Sequence, residues 1–315
     1  MCIRDRYPNR DVVDAAFNVV HDGRQYVVRA SRRLGVERMG TRVGPIAVEV
    51  LEPLRTLRLV VAPNRWDLSA DLVFTARAGV IEEPRFHRAH QGHVFMDSTR
   101  LTQHVDVRGH IRIGGTTIEV TPEQFWGSRD RSWGIRPVGE REAEAPGPPP
   151  QFFWLWAPVN FEDLCTHFDV NEDASGARWH EAGTIAPVGG APVAAAGVDW
   201  SIDYRPGTRR AARAAVTLRR HDAAPLRIEL HPLYEFAMVG LGYQHPTWGH
   251  GMAVGDDVAD GESFALADLD PTVPLNLHVQ AVCQASCGTR RGIGVLEQLI
   301  IGPHAPSGFV DLFDA

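Results

Sequence analysis

The chain has 315 residues, 44% hydrophobic and 23% charged, a composition typical of soluble globular proteins and long enough for two domains. All 32 basic residues are arginine, which excludes Schiff-base and P-loop lysine chemistry. Residues 1–138 hold 21 Arg against 16 acidic residues, and residues 139–315 hold 11 against 23. The resulting halves of +5 and −12 predict charge-complementary docking and argue against a nucleic-acid partner.

The start, "MCIRDRYPNR", is charged and lacks an apolar h-region, so it reads as an arbitrary or truncated start without a signal peptide. No apolar run approaches the roughly 20 residues of a membrane helix, and the few scattered cysteines point to reduced thiols in a cytoplasmic setting. "FNVVHDGRQYVV" (17–28) alternates apolar and polar residues on both sides of Asp22-Gly23, a two-residue hairpin signal. "VGPIAVEVLEPLRTLRLVV" (43–61) is punctuated by Pro45 and Pro53 and fits strand better than helix. His87, His90 and His93 are spaced by three, a metal face on a helix, but the surrounding residues read as a loop with solvated histidines. "HIRIGGTTIEV" (110–120) repeats the hairpin signal around Gly114-Gly115.

A charged, then proline-rich linker occupies 139–150, dividing an N-terminal domain (1–138) from a C-terminal one (151–315). In the second half, 167–183 and 214–230 place longer polar turns between alternating runs. Four scattered cysteines do not make a disulfide scaffold. Cys283 and Cys287 are expected as reduced core thiols. No stretch shows helical apolar spacing with both caps, so the fold is expected to be mostly β.

The unusual stretch is "WGSRDRSWGIR" (126–136), rich in both charge and tryptophan. On a strand, Trp126, Ser128, Asp130, Ser132 and Gly134 share one face, while Arg129, Arg131, Trp133 and Ile135 share the other. Asp130 therefore cannot pair with its sequence neighbours, and upstream Asp97, Arg100 and His104 are candidate partners. Two readings stay open. The stretch is an architectural clamp in which an arginine stacks on Trp133 at a barrel floor, or Asp130 is an acid kept dry in a cavity. "HPLYEFAMVGLGYQHPTWGHG" (231–251) is likewise either a solvated hairpin or a cavity wall carrying Tyr234, His245, Trp248 and His250. Its Trp248-Gly249 echoes Trp133-Gly134, which predicts equivalent positions for the two tryptophans.

Residues 97–115 ("DSTRLTQHVDVRGHIRIGG") and 126–140 resemble the hydroxyneurosporene synthase, or carotenoid 1,2-hydratase-like, family of bacterial proteins. Residues 43–61 and 167–183 resemble it too. The resemblance implies two lipocalin-like (calycin-type) antiparallel β-barrel domains in tandem. It also implies a lipophilic, isoprenoid-like substrate or ligand, in a wider set that includes tocopherol cyclases and Diels–Alderase-like cyclases. Alkene chemistry needs a carboxylic acid in an apolar site, where desolvation raises its pKa. The expected function is a cofactor-independent lyase or isomerase of hydratase or cyclase type, with Asp130, Tyr234, His245 and His250 as catalytic candidates. Asp97, Arg100, His104, Trp126, Arg129, Arg131, Trp133 and Trp248 would line the ligand, and no metal is expected. The alternative is a carrier of a lipophilic molecule. HExxH, GxSxG, GxGxxG and CxxC are all absent, which removes the usual support for protease, hydrolase and dinucleotide readings.

Overall fold

The computed structural model describes residues 1–37, 39–136, 138 and 150–314. Apart from Pro150, the expected linker lies outside the described residues. Eleven strands precede it: β1 (Cys2–Tyr7), β2 (Val12–His21), β3 (Arg24–Arg33), β4 (Ile46–Glu52), β5 (Thr56–Val61), β6 (Leu68–Ala76), β7 (Ile81–Glu82), β8 (Phe86–His90), β9 (His93–Ile113), β10 (Thr116–Val120) and β11 (Trp126–Ile135). Eleven more follow: β12 (Phe152–Trp156), β13 (Val159–Phe161), β14 (Leu164–Glu172), β15 (Arg178–Pro187), β16 (Val193–Ala194), β17 (Gly197–Tyr204), β18 (Ala211–Arg219), β19 (Leu226–Ala237), β20 (Asp257–Ala265), β21 (Val279–Cys287) and β22 (Arg290–Ile301). The described residues contain 3₁₀ turns and no α-helix, and no helix long and apolar enough to cross a membrane. The fold is mostly β, as expected.

The hairpins fall where turn chemistry places them. Asp22 and Gly23 take φ of +47° and +71°, the double left-handed turn that matches strand twist, and join β2 to β3. Gly114, at φ +57°, joins β9 to β10. The 43–61 stretch is itself a hairpin, β4 with β5, turning through Pro53 and Leu54. His87, His90 and His93 lie on the β8–β9 hairpin, with His90 opposite His93.

Among the described residues the strands form three antiparallel sheets. Sheet A has the order β1-β2-β3-β20, so a strand from the C-terminal half completes a sheet of the N-terminal half. Sheet B runs β10-β9-β6-β5-β4, and β7, β8 and β11 also pair along the 21-residue β9. Sheets A and B enclose one core, built from Val13, Phe17, Val28, Leu72, Val105 and Val107 among others. Sheet C holds the ten remaining strands and curls in a barrel-like way around a second core that includes Phe153, Phe168, Val216 and Leu296. Backbone bonds from Ala195 to Gly183 and from Ala196 to Arg219 draw its two ends together. Cys283 and Cys287 are free thiols in this core.

Alternation decides what lies between sheets B and C. The odd residues of β9 (Val105, Val107) enter the sandwich core, so Arg100, Thr102 and His104 project from the opposite face. In β14, Phe168 and Val170 enter the second core, so His167, Asp169 and Asn171 project from the other face. Every residue of β14 is buried. The two halves therefore meet across a seam of polar side chains.

Candidate functional site

The floor of the seam is an ionic network. Arg100 lies 2.6 Å from Glu83 and also pairs with Asp169. The Thr102 hydroxyl donates to Glu83 at 2.6 Å, and the Trp154 indole N–H donates to Asp169 at 2.8 Å. His167 sits 3.4 Å from Glu83 and His180 sits 3.3 Å from Asp169. Burial alone would push Glu83 up, but Arg100 and His167 hold it well below the usual carboxylate range. Burial works against the Arg100 charge, which Asp169, Glu83 and then Asp130 more than offset, so its pKa is raised. Glu83, His167 and Asp169 have metal-ligand spacing. With Arg100 already between the two carboxylates, the arrangement fits an internal ion network better than a cation site.

Asp130 stands beside this network. In the register of β11 on β9 it faces Thr102, with Ser132 opposite Arg100 and Ser128 opposite His104. Asp130 is exposed. Yet burial, with Glu83 and Glu297 adding to it and Arg100 and Arg136 opposing, raises its pKa to about 6. Both hold if water reaches the carboxyl inside a recess walled by protein. Among the described residues it has no hydrogen bond and no cation within ion-pair distance.

The groups electrostatically tied to Asp130 come from both halves of the chain. Glu297 on β22 is buried, 2.6 Å from His278 and hydrogen-bonded by Gln280. Tyr243 packs edge-on against His278 and His250, each with ring centroids 4.5 Å apart. Burial raises the Tyr243 pKa, with Arg136 opposing and Glu297, Asp5 and Asp130 adding to it. Arg136 donates to Ser132 at 2.9 Å, and the charges of Asp5 and Asp130 act on it. His250 is pulled down to about 4, chiefly by burial. Asp130 is thus linked electrostatically to a buried Glu–His pair, a phenol and an arginine.

A model of a family of unknown function, DUF8625, matches residues 1–310. The chain belongs to this family. No protein of curated function matches its sequence. The fold is similar to that of a protein assigned as AttH from Nitrosomonas europaea, with a TM-score of 0.50 and 12% identity over 92% of this chain and 86% of that one. At that identity the likeness concerns the fold alone.

The structure brings several of the expected site residues together and separates others. Asp130, Arg100 and His104 share the seam. His104 is fully buried beside Asn160 and the Thr166 backbone, and burial lowers its pKa to about 3, with those two neighbours opposing the drop. Trp126 shares their face, but its ring lies under Arg77, with the guanidinium 4.1 Å from the centroid. Arg129, Arg131 and Trp133 lie on the opposite face of β11, as does Asp97 on β9, which pairs with Arg85 at 2.5 Å. Trp133 is 54% exposed, so it closes no barrel floor. His250 reaches the Asp130 group through Arg136 and His278. Tyr234 is exposed on β19, and no described contact joins it to Asp130. His245 lies 2.7 Å from Arg29 and accepts the Thr247 and Trp248 backbone N–H groups, the role of a turn-holding residue. Trp248 sits in that turn, whereas Trp133 is on a strand, so the two Trp-Gly pairs are not structurally equivalent.

The sequence reasoning missed Glu83, Asp169, His180, His278, Glu297 and the Arg77 clamp. For two of these a signal existed. "LCTHFDVNE" (164–172) alternates His, Asp and Asn with apolar residues, and Glu297-Gln298 interrupts the apolar run 295–301.

Proposed function

We propose that this protein is a cofactor-independent lyase or isomerase that works by acid–base chemistry on a lipophilic small molecule held in the recess between sheets B and C. One arrangement carries the reading: Asp130 is reached by solvent, lies opposite Thr102 beside the buried Arg100–Glu83 network, and has no hydrogen-bond or ion-pair partner among the described residues, and its pKa is raised to about 6, chiefly by burial. A carboxyl held in a clamp is depressed, as Glu83 is. Asp130 is the general acid, protonating a double bond of the substrate, and the aromatic faces of Trp154 and Tyr243 stabilise the cation that forms. In the hydratase form, water adds to that cation and the Glu297–His278 pair takes up its proton. In the cyclase form, an internal alkene or hydroxyl adds instead.

The resemblance of residues 97–115 and 126–140 to hydroxyneurosporene synthase sequences supports an isoprenoid as the substrate class. We keep the division into units at 1–138 and 151–315, with β20 contributed by the second unit to the first. The test is to purify the protein from its own cells, identify retained small molecules by native mass spectrometry, and follow them for turnover. Conversion that declines as pH rises through about 6 supports the reading. A retained molecule that is never converted makes the protein a carrier.

A further inference from the structure

The face of β11 turned away from the seam carries Arg129, Arg131, Trp133 and Ile135 in one row. Trp133 and Ile135 are each 54% exposed, and Arg131 lies 5.9 Å from the Trp133 centroid. Arg4 on β1 adds a third guanidinium. Burial, then the Arg6 charge and more weakly that of Arg131, hold its pKa below the ordinary arginine value, with Asp5 and Cys2 opposing. Cys2, on the same face of β1, packs against the sandwich core, so these arginines stand at the rim of that core. Arg129 is likewise lowered, by burial and then by Arg131.

Among the described residues no carboxylate lies within ion-pair distance of Arg4, Arg129 or Arg131. Arg129 donates instead to the neutral Gln103, at 2.6 and 3.0 Å. The Nε–H of Arg4 is buried without an acceptor. Burying a donor unmet and converging like charges are both unfavourable, and a single oxyanion relieves both. The planar guanidinium fork matches a carboxylate geometrically, and exposed apolar surface beside it accommodates a chain. We infer that this rim binds an amphiphilic anion, its carboxylate among Arg4, Arg129 and Arg131 and its apolar chain along Trp133 and Ile135. The site lies on the opposite face of β11 from Asp130 and does not depend on the catalytic reading.

The test compares oleate below its aggregation concentration with oleyl alcohol, which has the same chain without the charge, and with acetate, the charge without the chain. Titration calorimetry on the parent protein is expected to show oleate binding at least about tenfold tighter than oleyl alcohol, a difference of about 1.4 kcal/mol, with acetate weaker still. Arg131→Gln and Arg4→Gln are each expected to remove most of that preference while leaving oleyl alcohol unchanged. Without ligand, Arg131→Gln should unfold no earlier than the parent, because it relieves repulsion. Equal binding of oleate and oleyl alcohol overturns the site, as does parental oleate affinity in the variants. Acetate binding as tightly as oleate reduces it to a simple ion site and also overturns it. So does binding to anionic phosphatidylglycerol vesicles with none to monomeric oleate, which makes the rim a membrane-facing patch. Should Arg4→Gln fail to fold, the exposed Arg131→Gln decides alone.

Discussion

Arg77 lies 4.1 Å above the ring of Trp126, and the same guanidinium reaches across to the C-terminal half. It donates to the Asn160 side chain and the Phe161 carbonyl, both at 3.1 Å, while its Nε sits 3.1 Å from Asp106. The Arg77 side chain is only 4% exposed. Arg77→Met keeps the apolar stem but leaves Asp106 and the buried acceptors unmet. A loss of about 1–3 kcal/mol is expected in urea unfolding, because Asp106 is open to solvent and the unmet buried groups are neutral acceptors. A loss under about 1 kcal/mol would show that the halves dock without this clamp.

Arg100 makes a stronger prediction because it serves two carboxylates. Arg100→Met strands Glu83 and Asp169, both with fully buried side chains, and should cost at least as much as Arg77→Met. Adding Glu83→Gln and Asp169→Asn removes the stranded charges and should restore part of the loss. A triple variant less stable than Arg100→Met argues that the network is held by hydrogen bonding rather than by charge.

Asp14 gives a pH dependence with a definite sign. It lies directly opposite Asp5 in the β1–β2 register. Burial raises its pKa to about 7, with the Gly251 N–H opposing and Asp5 adding to the rise. An unfolded aspartate titrates near about 3.9. Between these values the native state binds the extra proton, so this group's contribution to stability falls as pH rises from about 4 to about 7. Asp14→Asn removes that slope. The stability of the parent relative to Asp14→Asn should therefore decline across this window and level off above it. A difference independent of pH would show that Asp14 is ionised throughout.

How far the sequence reached can be judged residue by residue. The hairpins at Asp22-Gly23 and Gly114-Gly115 were legible because their turn chemistry is local. The two faces of β11 were legible because alternation needs only the strand assignment. The three-sheet arrangement was not, since β20 pairs with β3 over more than 220 residues and no periodicity records a partner. For the same reason Asp130 could be singled out but its surroundings could not: Glu297, His278 and Tyr243 come from separate segments of the other half. The Trp133 clamp held only in part. Arg131 does lie over Trp133, but the ring is exposed and closes no floor, and the buried arginine–tryptophan pair is Arg77 with Trp126, about 50 residues apart in sequence.

Asp130→Asn separates the roles open to this residue. The change keeps the size of the side chain but abolishes the carboxylic proton. As a general acid, Asp130 must be protonated to act, so parental turnover should fall as pH rises through about 6, and the Asn variant should be inactive at every pH. Stability should move the other way. Because the folded pKa is raised, ionising Asp130 disfavours the native state between about 4 and about 6, and above this window the variant should be at least as stable as the parent. A clamp reverses that sign, since a carboxylate paired to a buried arginine is stabilising above its depressed pKa and its loss costs about 3–5 kcal/mol. Circular dichroism melts at pH 5 and pH 8, read beside turnover of the retained molecule, separate the two. An early-melting Asn variant at pH 8, or one that turns over substrate at the parental rate, removes Asp130 as the acid.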